Sequence, residues 1–342
     1  MVNGKPPVDQ KKLQRSDYHV AWICPAATVE LLPSRLMLDE EHATPSYDTA
    51  YDDNVYIFGA MAGHNLVIAT CPKGMTGNVN AGRLAGPLFK TFPNIRMTLL
   101  VGIGGGVPRL VPSKSSTNDV HVGDVVVGAP GDGKPACVYY ESGRSHPDGG
   151  FELLGTVDRP DRILLNALER LQSDYEFDQS TFTQHYERLE KSKHGSKFAF
   201  PGLAYDRLFQ ASYRHVGSYN SNCRDCDHAE LVTRPARTEQ DAASLIFHRG
   251  RIATGNSVIQ DGEQRDRIRE QCDGPLCIEM EAAGVDANRS CLVIRGISDY
   301  ADSHKDNIWR SYAAGNAAVF ARELLCKIPA SRMKERQAYS KG

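Results

Sequence analysis

The chain has 342 residues, enough for two domains or for one α/β domain enlarged by an insertion. Forty Lys and Arg against 42 Asp and Glu leave a formal charge of −2, with 24% charged and 41% hydrophobic residues. These values exclude wholesale disorder and collagen-like repetition, and they offer no bulk attraction to nucleic acid or anionic lipid. No apolar run approaches the ~18 residues of a membrane span. The opening MVNGKPPVDQKKLQRSD has no apolar stretch to serve as a signal peptide. Nine scattered cysteines, with Cys24, Cys71 and Cys291 inside apolar runs, suit reduced thiols better than a disulfide framework. A soluble cytoplasmic protein is expected.

Residues 1–16 read as a disordered leader and residues 329–342 as a frayed tail. Between them, runs rich in β-branched residues recur at 19–24, 65–71, 97–103, 124–130, 251–256, 276–280 and 291–298. Most lack polar alternation, as strands buried on both faces do. Helical patterns fall at 29–41, 80–91, 261–272 and 281–288. A final helix over 306–328 sets Ile308, Trp309, Tyr312, Val319, Phe320 and Leu324 near helical spacing, with Trp309 and Tyr312 read as core or interface. Strands alternating with helices predict a mostly parallel α/β sheet covered on both faces, with its ligand beyond the strand ends. The stretch 145–245 breaks the alternation. It is polar, with helix-like pieces at 161–173 and 181–191, and reads as an insertion into one domain.

VGIGGGVP at 101–108 closes an apolar strand, where glycine lets the backbone approach a ligand. A dinucleotide fingerprint needs G-x-G-x-x-G opening a helix, with an acidic residue about 20 positions on. Here the spacing is G-x-G-G-G, Val107 and Pro108 follow, and no G-x-x-x-x-G-K-[ST] occurs. The run fits neither a nicotinamide enzyme nor a P-loop kinase, and a structural tight turn is its plain alternative.

Two acidic clusters stand at strand ends in the last third. Glu279, Met280 and Glu281 lead into a helix, and Ser298, Asp299, Tyr300, Ala301 and Asp302 follow VIRGI. A carboxylate directly after a buried strand is expensive unless paired, so two of them suggest one shared pocket. Carboxylates suit sugar chemistry, one holding adjacent hydroxyls while another gives a proton. Acidic residues also favour helix starts for the dipole alone.

EMEAAG at 279–284, GISDYAD at 296–302 and VGIGGG at 101–106 resemble the nucleoside phosphorylase/nucleosidase superfamily. The similarity lies nearest fungal proteins like methylthioadenosine/S-adenosylhomocysteine nucleosidase. WIC at 22–24, HVGDVVV at 121–127, ATGN at 253–256 and the stretch 301–314 extend the resemblance over 17–328. Related fungal chains often carry this domain ahead of NACHT or ankyrin modules. The resemblance implies a single three-layer α/β domain with a twisted central mixed sheet and a large insertion, usually a homo-oligomer, dimer or larger. It implies cleavage of the N-glycosidic bond of a purine nucleoside or nucleotide, adenine type favoured, without a cofactor.

Carried over by motif, Asp299 is the general acid at N7 of the purine, and Asp302 caps the next segment. Glu281 holds the ribose 2′- and 3′-hydroxyls, with Met280 against the sugar. Glu279, Gly104, Gly105, Asn256, Val258, Ser298 and Arg83 complete the expected binding set. For Asp299 to hold a proton, burial or a neighbouring negative charge is expected to raise its pKa.

The chain departs from both branches of the resemblance. Phosphorylases carry a Gly-Asp-Pro-x-Arg-type phosphate loop, whereas Cys24-Pro25-Ala26-Ala27-Thr28-Val29-Glu30 has no arginine, and Ile103 replaces an expected Ser or Thr. Glu30 matches the water-holding glutamate of nucleosidases, but one extra residue separates it from Cys24. Water is therefore the favoured nucleophile, with a phosphate-dependent phosphorylase or a non-catalytic nucleotide-sensing module as alternatives. Val258 replaces a stacking phenylalanine, so an aromatic such as Tyr205 or Tyr213 is expected at the base. Arg83, Lys73, Arg109, Arg144 and Lys305 are candidates for a 5′-phosphate, though such side chains are mostly solvated. His215, Cys223, Cys226 and His228 have the residue types of a structural zinc site, on one Cys-x-x-Cys knuckle. The expected catalytic set contains no metal.

Overall fold

Alternate residues of the first strand, β1 (Val20–Ala26), face opposite ways, as a pleated strand demands. Val20, Trp22 and Cys24 enter one apolar cluster, Ala21 and Ile23 another, and all five are fully buried. The first cluster is roofed by α3 (Arg162–Glu176), α4 (Phe182–Glu190) and α8 (Arg310–Cys326). The second is roofed by α2 (Asn78–Thr91) and α7 (Ala282–Asp286). These are three layers, helix on sheet on helix. The computed structural model describes residues 10–330 except 132, 148 and 218–221.

The sheet is mixed. Its main path runs from β2 (Glu40–Glu41) through β3 (Ile57–Met61), β4 (His64–Cys71) and β1 to β5 (Met97–Gly106). It continues through β11 (Cys277–Glu279), β10 (Ile252–Thr254) and β7 (Cys137–Ser145) to β8 (Phe151–Thr156). Off this path, β12 (Leu292–Asp299) pairs with β5 and with β6 (Val125–Gly128), and β6 pairs with β9 (Phe247–Gly250). Strand β5 is the fork. It runs parallel to β1 and β12, then turns its glycine end antiparallel to β11, with Gly105 opposite Ile278. The remaining helices are α1 (Leu32–Leu36), α5 (Glu239–Ala243) and α6 (Gly262–Gln271).

Several expectations need redrawing. Lys12 bridges Ala43 and Leu13 packs against the core, so the leader is anchored before residue 16, while 1–9 and 331–342 lie outside the described residues. Within the stretch 145–245 the two helices pack on the main core. Leu164, Leu168, Leu171, Phe182 and Leu189 of α3 and α4 belong to the main core, and strand-free chain fills most of the interval from 191 to 246. Strands β3, β7, β8 and β9 fall where no strand was expected. Among the described residues, no helix is long and apolar enough to cross a membrane.

Helix α8 is buried nearly all round, and Glu323 is carried into the core with it. Burial alone would raise its pKa. Hydrogen bonds from His185 at 2.7 Å and from Thr181, with Lys327 at 2.8 Å, overcome this and hold it at about 2. We expect Glu323→Gln to cost about 1.5–3 kcal/mol in denaturant unfolding at pH 7. The folded pKa lies below the unfolded value of about 4.3, so this contribution is full above that value and fades as pH falls towards 2. Unfolding curves of the two proteins at pH 7 and pH 3 check both parts.

Candidate active site

At the centre of β12 stands Arg295, a fully buried cation flanked by apolar residues and glycine on the strand. Three carboxylates surround it. Glu279 pairs with its Nη2, Glu281 Oε2 lies 3.0 Å from the same nitrogen, and Glu30 Oε1 is 3.9 Å from Nη1. Each glutamate is fixed by backbone amides. Glu30 accepts from Ala26 N at 2.6 Å and Ile103 N at 2.9 Å, Glu281 from Gly77 N at 3.0 Å, and Glu279 from Glu281 N at 3.0 Å and Ala282 N. The Nε and Nη1 atoms of Arg295 are buried and, among the described residues, have no hydrogen-bond acceptor.

The local sequence explains the closeness. A Cβ on Gly102 would overlap both Glu30 and Arg295, and one on Gly105 would lie 3.2 Å from Asp299 Oδ1, so β5 passes the acidic groups only as glycine. Residues 27–31 form a π-turn leading into α1, the geometry of one extra residue within an α-helix. This turn brings Glu30 back over its own loop. Ile103, lacking a side-chain hydroxyl, donates its backbone N–H to Glu30 instead.

Burial pushes the Glu281 carboxyl up to about 7, Arg295 opposing the rise and Glu279 adding to it. Glu30 is likewise raised by burial, against the pull of Arg295. Burial works against the Arg295 charge, and Glu279, Glu281 and Glu30 more than restore it.

Asp299 ends β12 beside this cluster. Its Oδ2 accepts from Ser298 Oγ at 2.7 Å and pairs with Lys305 Nζ at 2.8 Å, while Oδ1 accepts from Ala301 N at 3.0 Å. Asp299 is thus buried, with Lys305 as its paired charge and Asp306 within electrostatic reach. Asp302 accepts from His304 N at 2.9 Å, the capping bond expected of it. A cavity bordered by Ser298, Asp299, Tyr205, Arg207 and Trp309 opens beside this turn.

The other expected residues divide. Met280 is half-buried near the Gly77 loop, and Gly104 and Gly105 lie on β5 next to β12. Asn256 is exposed and held by Glu141 at 2.6 Å, its carbonyl oxygen accepting from Asn78 at 3.3 Å. Val258 is 56% exposed, and Arg83 and Lys73 are exposed on α2 and the loop before it. Arg109 pairs with Asp119 and Arg144 with Glu152 at the surface, leaving Lys305 as the basic candidate in contact with an acidic site residue. Tyr205 borders the cavity, whereas Tyr213 stacks on Phe209 and His304 inside the inserted segment. His215, Cys223 and Cys226 do converge, but His228 is exposed and His304 stands with them instead. Sequence reasoning missed Arg295. Its signal was one charged residue amid a strand read as buried.

No protein-family model matches the chain. Over 327 residues it is 33% identical to a nucleotide-binding leucine-rich repeat (NLR)-like protein of Hyaloscypha variabilis, covering 96% of this chain and 31% of that protein. An 89-residue stretch is 38% identical to the ATP nucleosidase Cap17 of Escherichia coli, 25% of this chain and 18% of that one. The chain thus spans less than a third of the length of these curated relatives. Among solved structures it is similar to the 5′-methylthioadenosine/S-adenosylhomocysteine nucleosidase of Neisseria meningitidis, with TM-score 0.55 and 18% identity over 90% of this chain and 98% of that one. The futalosine hydrolase of Helicobacter pylori gives TM-score 0.54 and 16% identity, over 90% and 97% of the two chains.

The buried quartet predicts opposite effects for its two signs of charge. Glu281→Gln should stabilise the protein at pH 8, because the native carboxyl, with a folded pKa of about 7 against about 4.3 unfolded, resists ionisation in the fold. That gain should vanish near pH 4, where the native carboxyl is protonated in both states. Arg295→Met should instead cost about 3–5 kcal/mol at pH 8, leaving buried carboxylates uncompensated, and less at pH 5. Urea unfolding of both variants across this range is the measurement.

Proposed function

We propose that this chain, whose sheet and helices form the nucleoside phosphorylase/nucleosidase fold, hydrolyses the N-glycosidic bond of a purine nucleoside or nucleotide, adenine type favoured. The observation that carries this is the quartet of Arg295, Glu30, Glu279 and Glu281 with Asp299 beside it. The ATP nucleosidase relative supports the class of bond and the base.

The charge balance favours water over phosphate. Three carboxylates against one guanidinium repel a phosphate dianion, whereas a neutral water meets no such repulsion and finds an acceptor in Glu30 and a donor in Arg295 Nη1. Glu281 accepts the ribose hydroxyls and Met280 packs beside the sugar. The water oxygen attacks C1′, and Glu30 takes its proton. The C1′–N9 bond breaks with its electron pair moving to the purine, and a proton passes from the Lys305 ammonium through Asp299 to N7. Nearby carboxylates stabilise the positive charge that builds on the ribose during this step. Ser298, Ala301 and Lys305 hold Asp299 in place.

Chromatography of free base, with adenosine, inosine, methylthioadenosine, AMP and ATP offered with and without phosphate, tests this. Base should appear without phosphate. Asp299→Asn and Glu30→Gln should each slow release by about 10²–10⁴-fold, with ligand affinity kept in the first. Because the ribose site needs Glu281 ionised, kcat/KM should rise with pH and level off above about 7. Release only with phosphate would make the chain a phosphorylase. No release with intact binding would make it a sensing module.

A further inference from the structure

Outside the acidic quartet, the inserted segment and the turn after β12 bring together four side chains with no part in the chemistry above. They are His215, Cys223, Cys226 and His304. His215 Nδ1 lies 3.7 Å from Cys223 Sγ and 3.3 Å from Cys226 Sγ. One donor atom each from His215, Cys226 and His304 fall within 4.8 Å of one another. In a tetrahedral zinc site with Zn–S near 2.3 Å and Zn–N near 2.05 Å, sulfur and nitrogen stand about 3.6 Å apart. The observed separations straddle that value.

Thiol–imidazole hydrogen bonds alone would also give such distances, so the decisive group is His304. Only 9% of it is exposed, and among the described residues neither ring nitrogen has a hydrogen-bond partner. A buried imidazole left so is costly unless something absent from the protein atoms fills the place. Its Nδ1 faces Asp302 Oδ1 at 3.7 Å, the carboxylate–histidine arrangement that orients a metal-binding ring and leaves Nε2 for the metal. Phe209 stacks on the ring at 4.0 Å and Tyr213 at 5.5 Å, which fixes its plane and screens it from water. The knuckle is held in shape as well, with Asn222 and Cys223 both in the left-handed region at φ 52°. Cys223 and Cys226 are buried and unbridged.

We propose that His215, Cys223, Cys226 and His304 bind one zinc ion in a closed, structural Cys₂His₂ site. Two thiolates and two imidazoles are the donor set zinc takes in structural sites, and four protein ligands leave no open position for catalysis. Binding releases the two thiol protons to solvent. The ion ties the inserted segment to the turn that carries Asp299 and Lys305, in concert with His215 N donating to Ser303 Oγ at 3.0 Å. The site stands whether or not the glycosidic reading holds.

The test is metal analysis of the purified full chain after dialysis against metal-free buffer. About one zinc per chain is expected, retained in His228→Ala and lost in Cys226→Ser and His304→Ala. Zinc below about a tenth per chain in the wild type would overturn the proposal, as would full retention in His304→Ala or loss in His228→Ala. Should the ligand variants fail to fold, cobalt(II) exchanged into the wild type gives the answer without them. Intense visible absorption from tetrahedral thiolate-bound cobalt is expected, and the pale spectrum of six-coordinate cobalt would refute the site.

Discussion

One buried guanidinium organises this molecule. Arg295 sits fully buried in β12, between β5 and β6, and a cation there is tolerable only among anions and hydrogen-bond acceptors. Its three glutamates come from three places: the turn after β1, the end of β11 and the start of α7. Each glutamate then needs its own donors, which are the amides of Ala26, Ile103, Gly77 and Ala282. The glycines of β5 follow from the same constraint, since a side chain at Gly102 would occupy the space of Arg295 and Glu30. A single charge thus dictates a turn, a strand composition and a helix start.

The polar segment after α4 obeys a related rule. Its composition invites a reading as solvated loop, yet its charged residues point inward. Asp206 accepts from Tyr300 Oη at 2.5 Å, meets His121 at 2.6 Å and is paired with Arg234 at 2.8 Å. Arg237 and His248 converge on Asp124, which they hold below the usual carboxylate range against the effect of burial. Tyr300 directly follows Asp299, so the segment grips the residue beside the proposed acid. Polar residues serve here as interior fasteners because the segment lacks enough apolar surface to fasten itself.

These two patterns explain what the sequence disclosed. Strands buried on both faces lack alternation and were legible, as were α3 and α4, whose apolar stripes recur at helical spacing. Strands β7 and β8 were not, because their faces are partly solvated and the chain there reads as polar. The acidic motifs were visible as residues, and their meeting at one point is a fact of topology. Arg295 escaped notice because an arginine is ordinarily a surface residue, and its burial shows only once β12 is placed between β5 and β6. His228 was preferred to His304 because it lies near the knuckle in sequence. The histidine that stands there comes from a turn 81 positions beyond Cys223. Spacing along the chain ranks neighbours by separation, and packing does not.

The long reach of these contacts bears on how the molecule comes into being on the ribosome. Glu30 is synthesised long before Arg295, so the first carboxylate waits for its cation while most of the sheet is made. Until β12 enters the sheet, β5 lacks its longest partner and α8 has no floor. Such wide sequence separation slows folding and leaves apolar strand edges exposed in the nascent chain. It also means that no truncated product ending before residue 292 holds an assembled site.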